Sequence, residues 1–341
     1  MENLATGYWF SEALFAAVEL EVFTLLEPKG MTTAELADAL VMPALGLGRF
    51  LQALCVLSLV VDEGGSYFNT QLASTYLVVG KRGYQGDSIL WRKTLTAGWQ
   101  DLSKCLKAGG RVNFPADEED PSQFALRIRK YINAMDNVAK TKVEEILPFF
   151  EGLDLREMLD VGTGSGAIAA GFLEQFPSLS ATLLDIQDVL IYTQELLAKR
   201  EFGTRVSYLP TNILEPWTAA KEGFDVVVLS NIIHVYSKEE IPLILDRAAN
   251  CLKPEGFLVI HDFFPEHFPE KAALLDLNMF INTYNGRTFP QAWVREQLSL
   301  SKLYTSELIP LETDTAVIFA TKDESKLSSL RLVNRTPQLS F

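Results

Sequence analysis

Cysteine and histidine are scarce in this 341-residue chain, with three of each. Cys55, Cys105 and Cys251 are far apart and form no Cys-x-x-Cys pair. They indicate neither a disulfide framework nor a zinc site, and three buried thiols in a reducing cytoplasm are expected. Positive charge is in deficit: 30 Lys and Arg stand against 44 Asp and Glu, a net charge of −14. That balance opposes non-specific binding to nucleic acid or to an anionic membrane. No uncharged apolar run reaches the length of a membrane span, and the N-terminus carries Glu2 and Glu12 where a leader would be basic. Internal repeats and low-complexity tracts are lacking as well. The length predicts two domains, at ~150 residues each.

The first 85 or so residues read as helices followed by one hairpin. Residues 8–26 carry apolar side chains at helical spacing. Thr32 with Glu35 forms a capping box for a helix over 33–40. A further helix is expected over 45–59, and Val60–Phe68 is a hairpin with Gly64-Gly65 at its turn. Helices followed by a hairpin are the winged helix-turn-helix pattern, which can bind DNA. The would-be recognition helix is apolar over most of its length and has one basic residue, Arg49, so burial in a protein interface is the better reading. Residues 86–150 form a second helical section rich in Trp, Phe, Tyr and Met, interrupted by the acidic run 117–120, read as a solvated loop. From Leu155 strands and helices alternate, the mark of a doubly wound parallel sheet. Strands are placed near 158–161, 181–185, 205–209, 224–229, 257–260, 303–310 and 314–320. After Lys322 the apolar periodicity fades, and 323–341 reads as a solvated tail or an add-on that packs on a partner.

The most informative stretch is Met158–Ala169, MLDVGTGSGAIA. An apolar strand runs into Gly162, Gly164 and Gly166, and then into an apolar helix. Glycine lets the backbone turn sharply and a ligand approach closely, while the helix start offers unpaired N–H groups. Together they bind a nucleotide-like cofactor. Asp185 ends the next strand, where a ribose hydroxyl needs an acceptor. Ligands of open parallel sheets lie at the carboxyl ends of the strands. Further candidates are therefore Ile186 after the second strand, Thr211, Asn212 and Ile213 after the third, and Ser230 and Asn231 after the fourth. Plainer readings stand beside two of these: Asp185 as a helix N-cap and Asn212 as a turn residue. The glycines alone also fit a nicotinamide-dinucleotide fingerprint.

Two later features separate these cofactors: the turn Leu252-Lys253-Pro254-Glu255-Gly256 before a strand, and the closing pair of strands near the end. With them the chain resembles the class I S-adenosylmethionine (SAM) dependent methyltransferases. The order of parts is similar to the O-methyltransferases that include plant phenolic and bacterial polyketide or hydroxyindole enzymes. The family motif DVGGGxG is here Asp160–Gly166, its Asp-Leu-Pro is Asp185-Ile186-Gln187, and its Gly-Asp is Thr211-Asn212. The resemblance implies an α/β fold: a doubly wound, mostly parallel seven-stranded sheet of Rossmann type, with an N-terminal, mostly helical, winged-helix-like domain for homodimerisation. It implies domains at 1–85 (dimerisation), 86–150 (helical linker contributing to a substrate pocket), 151–322 (SAM-binding) and 323–341 (tail). SAM is the implied cofactor, through Asp160, Gly162, Gly164, Gly166, Asp185, Ile186, Asn212, Ile213 and Ser230. The implied partners are a small-molecule substrate and a second copy of the chain, with no nucleic acid, membrane or metal.

In that family a histidine just past the fourth strand is the general base, and the matching segment here is Ile232-Ile233-His234-Val235-Tyr236. Methyl transfer from a sulfonium needs an oxygen nucleophile, and an imidazole can take the proton of a phenol. Asp262, after the fifth strand, stands where the family has an acid beside its histidine. A His234–Asp262 pair is therefore expected, with the carboxylate fixing the tautomer. The family's second acid, before an Arg-Thr pair, corresponds to Gly286, and Val235 replaces an acid after the histidine. His261 is expected to face away from Asp262. The spacing of His261, Asp262, Glu266 and His267 fits no standard metal cluster. Candidate pocket walls are Trp91, Trp99, Phe124, Tyr131 and Met135, with Met279, Phe280 and Tyr284. The activity expected is SAM-dependent O-methylation of a small aromatic or polyketide-like hydroxyl. A SAM-using decarboxylase or hydroxylase, or a metabolite-sensing regulator, are the alternatives.

Overall fold

A computed structural model describes residues 1–27, 29–113 and 120–331. The chain forms two compact units, Met1–Thr96 and Ala97 onward. The boundary falls inside a helix, eleven residues beyond the end of the first domain expected at 85, because Gly86–Gln100 is one continuous helical segment. The section expected as a separate linker from 86 to 150 is thereby divided between the units.

The first unit runs α1 (Glu2–Ala5), α2 (Tyr8–Glu19), α3 (Val22–Leu26), β1 (Met31–Thr32), α4 (Thr33–Leu40), α5 (Ala44–Val56), β2 (Val60–Glu63), β3 (Ser66–Asn69), α6 (Gln71–Tyr76) and the first turns of α7 (Gly86–Gln100). The capping box forms as its residue types dictate: Thr32 Oγ1 accepts from Glu35 N at 3.3 Å, and Thr32 N donates to Glu35 Oε2 at 2.8 Å. The β2–β3 turn places Gly64 and Gly65 at φ 66° and 91°, with Gly65 N bonded to Asp62 Oδ1. Phe23, Leu26, Leu36, Leu51 and Leu54 fill the core between helices and hairpin. Leu4, Tyr8, Trp9 and Phe10 are instead 55–81% exposed, an apolar face on α1 and α2.

The second unit continues with α8 (Leu102–Ala108), α9 (Pro121–Ile146), β4 (Glu157–Val161), α10 (Ala167–Gln175), β5 (Ser180–Asp185), α11 (Gln187–Leu197), β6 (Val206–Pro210), β7 (Phe224–Ser230), α12 (Ile241–Cys251), β8 (Leu252–Asp262), α13 (Pro269–Asn282), α14 (Gln291–Leu300), β9 (Tyr304–Thr305), β10 (Ile309–Pro310) and β11 (Ala316–Thr321). Of the acidic run only Asp120 lies among the described residues, where it caps α9 through Ser122 N and Gln123 N. The sheet order is β10-β11-β8-β7-β4-β5-β6, parallel from β8 to β6 and antiparallel at β11. One closing strand expected over 303–310 is two short ones, β9 and β10, both on the outer edge of β11. Ser306 interrupts the ladder: its N donates to Phe319 O, and its hydroxyl accepts from Phe319 N.

Side-chain alternation along the strands divides two apolar layers. Met158, Leu183, Val226, Val228, Val259 and Phe319 pack with Val143, Phe150, Ile168 and Phe172 under α9 and α10. Leu159, Val161, Leu184, Val227, Leu229, Ile260 and Ile318 pack with Ile241, Ile244, Leu245, Val294 and Leu298 under α12 and α14. The turn expected at 252–256 is a bulge inside β8, since Phe224 pairs with Leu252 while Val226 pairs with Phe257. Lys253 pins it to Asp225 at 2.9 Å. The tail does not simply run into solvent. Leu330 is buried in the first layer and Arg331 N bonds to Phe149 O, because apolar Leu327 and Leu330 recur at helical spacing over the turn Glu324–Ser329. The rest of the tail, 332–341, lies outside the described residues.

Candidate active site

The parallel strand order reverses between β4 and β7, and the cleft outside that reversal is the ligand position of an open α/β sheet. The β4–α10 loop lies there. Gly162, Gly164 and Gly166 all have left-handed φ, 66°, 55° and 77°. A Cβ at Gly162 would lie 2.2 Å from Ile232 Cδ1, the movable end of that side chain, so it is the left-handed φ that asks for glycine there. A Cβ at Gly164 would meet nothing within 4 Å, so the backbone there faces open space. Thr163 Oγ1 donates to Asp160 Oδ2 at 2.7 Å, and Thr193 Oγ1 donates to Gly164 O at 2.6 Å.

Asp185 sits beside this loop. Its Oδ2 accepts from Gly164 N at 2.9 Å and its Oδ1 from Ile186 N at 2.8 Å. Burial raises its pKa, opposed by these two bonds. Each oxygen retains acceptor capacity, which suits a vicinal diol. Tyr131 on α9 is 36% exposed overall, yet desolvation of its phenol, helped by the nearby Asp185 charge, pushes it up to about 12. Tyr236 is raised by burial and then by Asp185. Asn231, which follows β7, adopts φ 56°, and its Oδ1 is buried with no hydrogen-bond partner. A buried acceptor left open at this edge fits a ligand that brings an N–H donor.

His234 lies one turn further on, in the short 3₁₀ turn Ile233–Val235, and is 9% exposed. Its Nδ1–H donates to Asp262 Oδ1 at 2.6 Å, which leaves Nε2 to take a proton. Asp262 is fully buried and also accepts from His234 N and Phe263 N. Arg287 N donates to His234 O at 2.9 Å, and a Cβ at Gly286 would lie 2.6 Å from that same oxygen. The chain is backed so closely against His234 here that the second acid of the family pattern has no room.

Several expected contacts fall elsewhere. Asp160 is buried beneath the loop and organises it through Thr163; burial pushes its pKa up to about 6. Ser230 Oγ shares a hydrogen bond with His261 Nδ1 at 2.8 Å. Ile213 is 5% exposed in the second apolar layer, so its side chain is core and not site wall. Asn212 is exposed and spends its Oδ1 on Leu214 N, the turn role; Ile186 is an exposed apolar residue beside Asp185. Met135 and Phe280 are half-buried, as is Phe124 under the Arg127 guanidinium. Met279 is buried and Tyr284 is 70% exposed. Trp99 bonds Asn278 on α13 through its indole N–H, whereas Trp91 belongs to the first unit. Tyr236 is the addition of the structure, and an aromatic two residues after His234 was the available signal; of the pair Ser230-Asn231 expected after the fourth strand, Asn231 keeps an open acceptor while Ser230 is bonded to His261.

Comparison with known proteins follows the same lines. A 3-hydroxy-5-methyl-1-naphthoate 3-O-methyltransferase of Streptomyces sahachiroi is 26% identical over 311 residues, 87% of this chain and 88% of that one. The tetracenomycin polyketide synthesis 8-O-methyl transferase of Streptomyces glaucescens is 27% identical over 301 residues, 85% and 86% of the two chains. The crystal structure of human N-acetylserotonin methyltransferase in complex with SAM superposes with a TM-score of 0.83 at 22% identity, covering 94% of this chain and 96% of that one, a likeness of fold. Residues 2–79 match the O-methyltransferase dimerisation domain and residues 91–304 the O-methyltransferase domain. With the greater part of its length matched in this way, the chain belongs to the O-methyltransferase family.

Proposed function

We propose that the chain moves the methyl group of SAM to a hydroxyl of a small aromatic or polyketide-like molecule, with His234 as general base. When bound, SAM supplies an electrophilic methyl carbon on a sulfonium. Asp185 would hold the ribose hydroxyls, the bare backbone at Gly164 would lie against the ligand, and the open Asn231 oxygen would accept from its ammonium group. His234 Nε2 takes the acceptor's hydroxyl proton as the oxygen attacks, and Asp262 stabilises the resulting imidazolium. The observation that carries this reading is the buried 2.6 Å His234–Asp262 bond at the same sheet edge as the glycine loop. The names of the naphthoate and tetracenomycin relatives support an aromatic or polyketide-like acceptor. The dimerisation-domain match and the apolar face of α1 and α2 support a homodimer. Among the described residues no single helix is long and apolar enough to cross a membrane. Three unpaired thiols favour a cytoplasmic setting, and the net charge of −14 disfavours nucleic acid as partner.

The test is a panel of naphthols and related phenols incubated with SAM, with methylated product read by mass spectrometry. His234→Ala is expected to lower kcat by about 10²–10⁴ with SAM affinity in titration calorimetry unchanged. Turnover retained in that variant removes His234 as base. Asp185→Ala is expected to weaken SAM binding at least tenfold, the loss of about one charge-assisted hydrogen bond; unchanged affinity removes it from the site.

A further inference from the structure

On the sheet face opposite Asp262, a second histidine is fully buried. His261 precedes Asp262 on β8, and strand alternation turns the two side chains to opposite sides. Its ring bridges two neighbouring strands. Nδ1 lies 2.8 Å from Ser230 Oγ at the end of β7, and Nε2 lies 2.8 Å from Thr315 Oγ1 just before β11. Its carbonyl accepts from Asn231 N at 2.8 Å, at the start of the turn that carries His234. Burial, with the Lys142 charge nearby, lowers its pKa to about 3, so the ring is neutral. One nitrogen then donates and the other accepts, and hydroxyl partners serve either tautomer. The other charged or titratable groups whose fields reach it are Asp314, near Lys142, and, across the sheet, Asp262 and His234. Beyond Thr315 the bonds continue through Thr313 to Glu145 Oε2 at 3.1 Å and to buried Lys142, which pairs with Asp314 at 2.9 Å.

We propose that His261 is a positioning residue: by tying β7 to β11 across the end of β8, it fixes the backbone from which Asp262 reaches His234. The backbone ladder reaches this end, with Ser230 opposite His261 and Ala316 opposite Asp262, and the two side-chain bonds reinforce it where it stops. The device matters because Gly286 leaves no room for a second carboxylate, so the orientation of the His234 ring depends on Asp262. The kinetic part of the inference rests on the methyltransferase reading; the structural part does not.

With three histidines in the chain, protein labelled with ¹⁵N-histidine gives three imidazoles to assign. The His234 Nδ1–H proton shared with Asp262, identified by its loss in His234→Ala, is expected downfield and sharp in the wild type. His261→Leu and Thr315→Val are expected to shift it upfield or broaden it. Both are expected to lower kcat roughly tenfold to 100-fold, the size of a misplacement on the order of 1 Å, with SAM affinity and acceptor KM within about twofold. His261→Asn keeps a polar group facing Ser230 and His261→Gln one facing Thr315, and each is expected to recover part of the loss. An unchanged proton signal, or wild-type kcat, in folded His261→Leu and Thr315→Val overturns the proposal. Thr315→Val removes a single hydroxyl and carries the test alone should His261→Leu fail to fold. If the wild type turns over no acceptor, the methyltransferase reading falls and the proton signal still decides the positioning role.

Discussion

Asp160 and Asp185 are carboxylates one strand apart whose surroundings give them different work. Asp185 ends β5 beside open space and keeps acceptor capacity for a ligand, while Asp160 is sealed under α10 and serves the loop. Burial pushes Asp160 to about 6, above the ordinary value near 3.9 of an unfolded chain. Between those values the native state binds more protons than the unfolded state, so this group makes stability rise as pH falls from 6 towards 4. Above pH 6 its burial opposes folding by up to about 3 kcal/mol. Asp160→Asn is therefore expected to flatten the dependence of urea stability on pH across that window. A parallel pH dependence in variant and wild type would show that Asp160 is not held this way.

At the scale of elements, the glycine loop and the strands that flank it were legible because their signals are local. A short apolar run, three alternate glycines and an apolar helix specify β4, the turn and α10 with few alternatives. What was not legible was which way a strand-end side chain points. β7 reads Val226-Val227-Val228-Leu229, apolar on both faces, as strands covered by helices on both sides must be. Such a run gives no amphipathic clue, so the sequence does not tell a Ser230 that faces a ligand from one that faces His261, as it does. Ile213 failed for the related reason that an apolar residue after a strand can equally continue the core. The loop itself makes a sharp prediction. Gly162→Ala places a Cβ on Ile232 at a φ that L-residues rarely adopt, so it is expected to cost about 1–3 kcal/mol in chemical denaturation and to lower SAM affinity at least tenfold. A variant with normal stability and affinity would mean that the loop tolerates a side chain after all.

Over the whole molecule, the division into a helical first unit and an α/β second unit was legible from the change of pattern, although its position was not. α7 crosses the boundary because residues 87–97 contain neither Gly nor Pro, so the division falls at Thr96 without a linker composition to mark it. The apolar face on α1 and α2 belongs to this scale. Tyr8, Trp9 and Phe10 are three consecutive large side chains exposed together, and Trp9→Glu is expected to shift the protein from dimer to monomer in sedimentation at micromolar concentration. A dimer of unchanged affinity would exclude this face as the contact.

The strand order has a consequence for the growing chain. β4, β5 and β6 are synthesised first and stack on one side of the reversal, so the emerging half-sheet shows the bare hydrogen-bonding edge of β4, Met158–Val161, until β7 follows and covers it. An uncovered, apolar, central strand is a template for the wrong neighbour. A nascent chain that has released β6 from the ribosome and not yet β7 is expected to be the species prone to self-association.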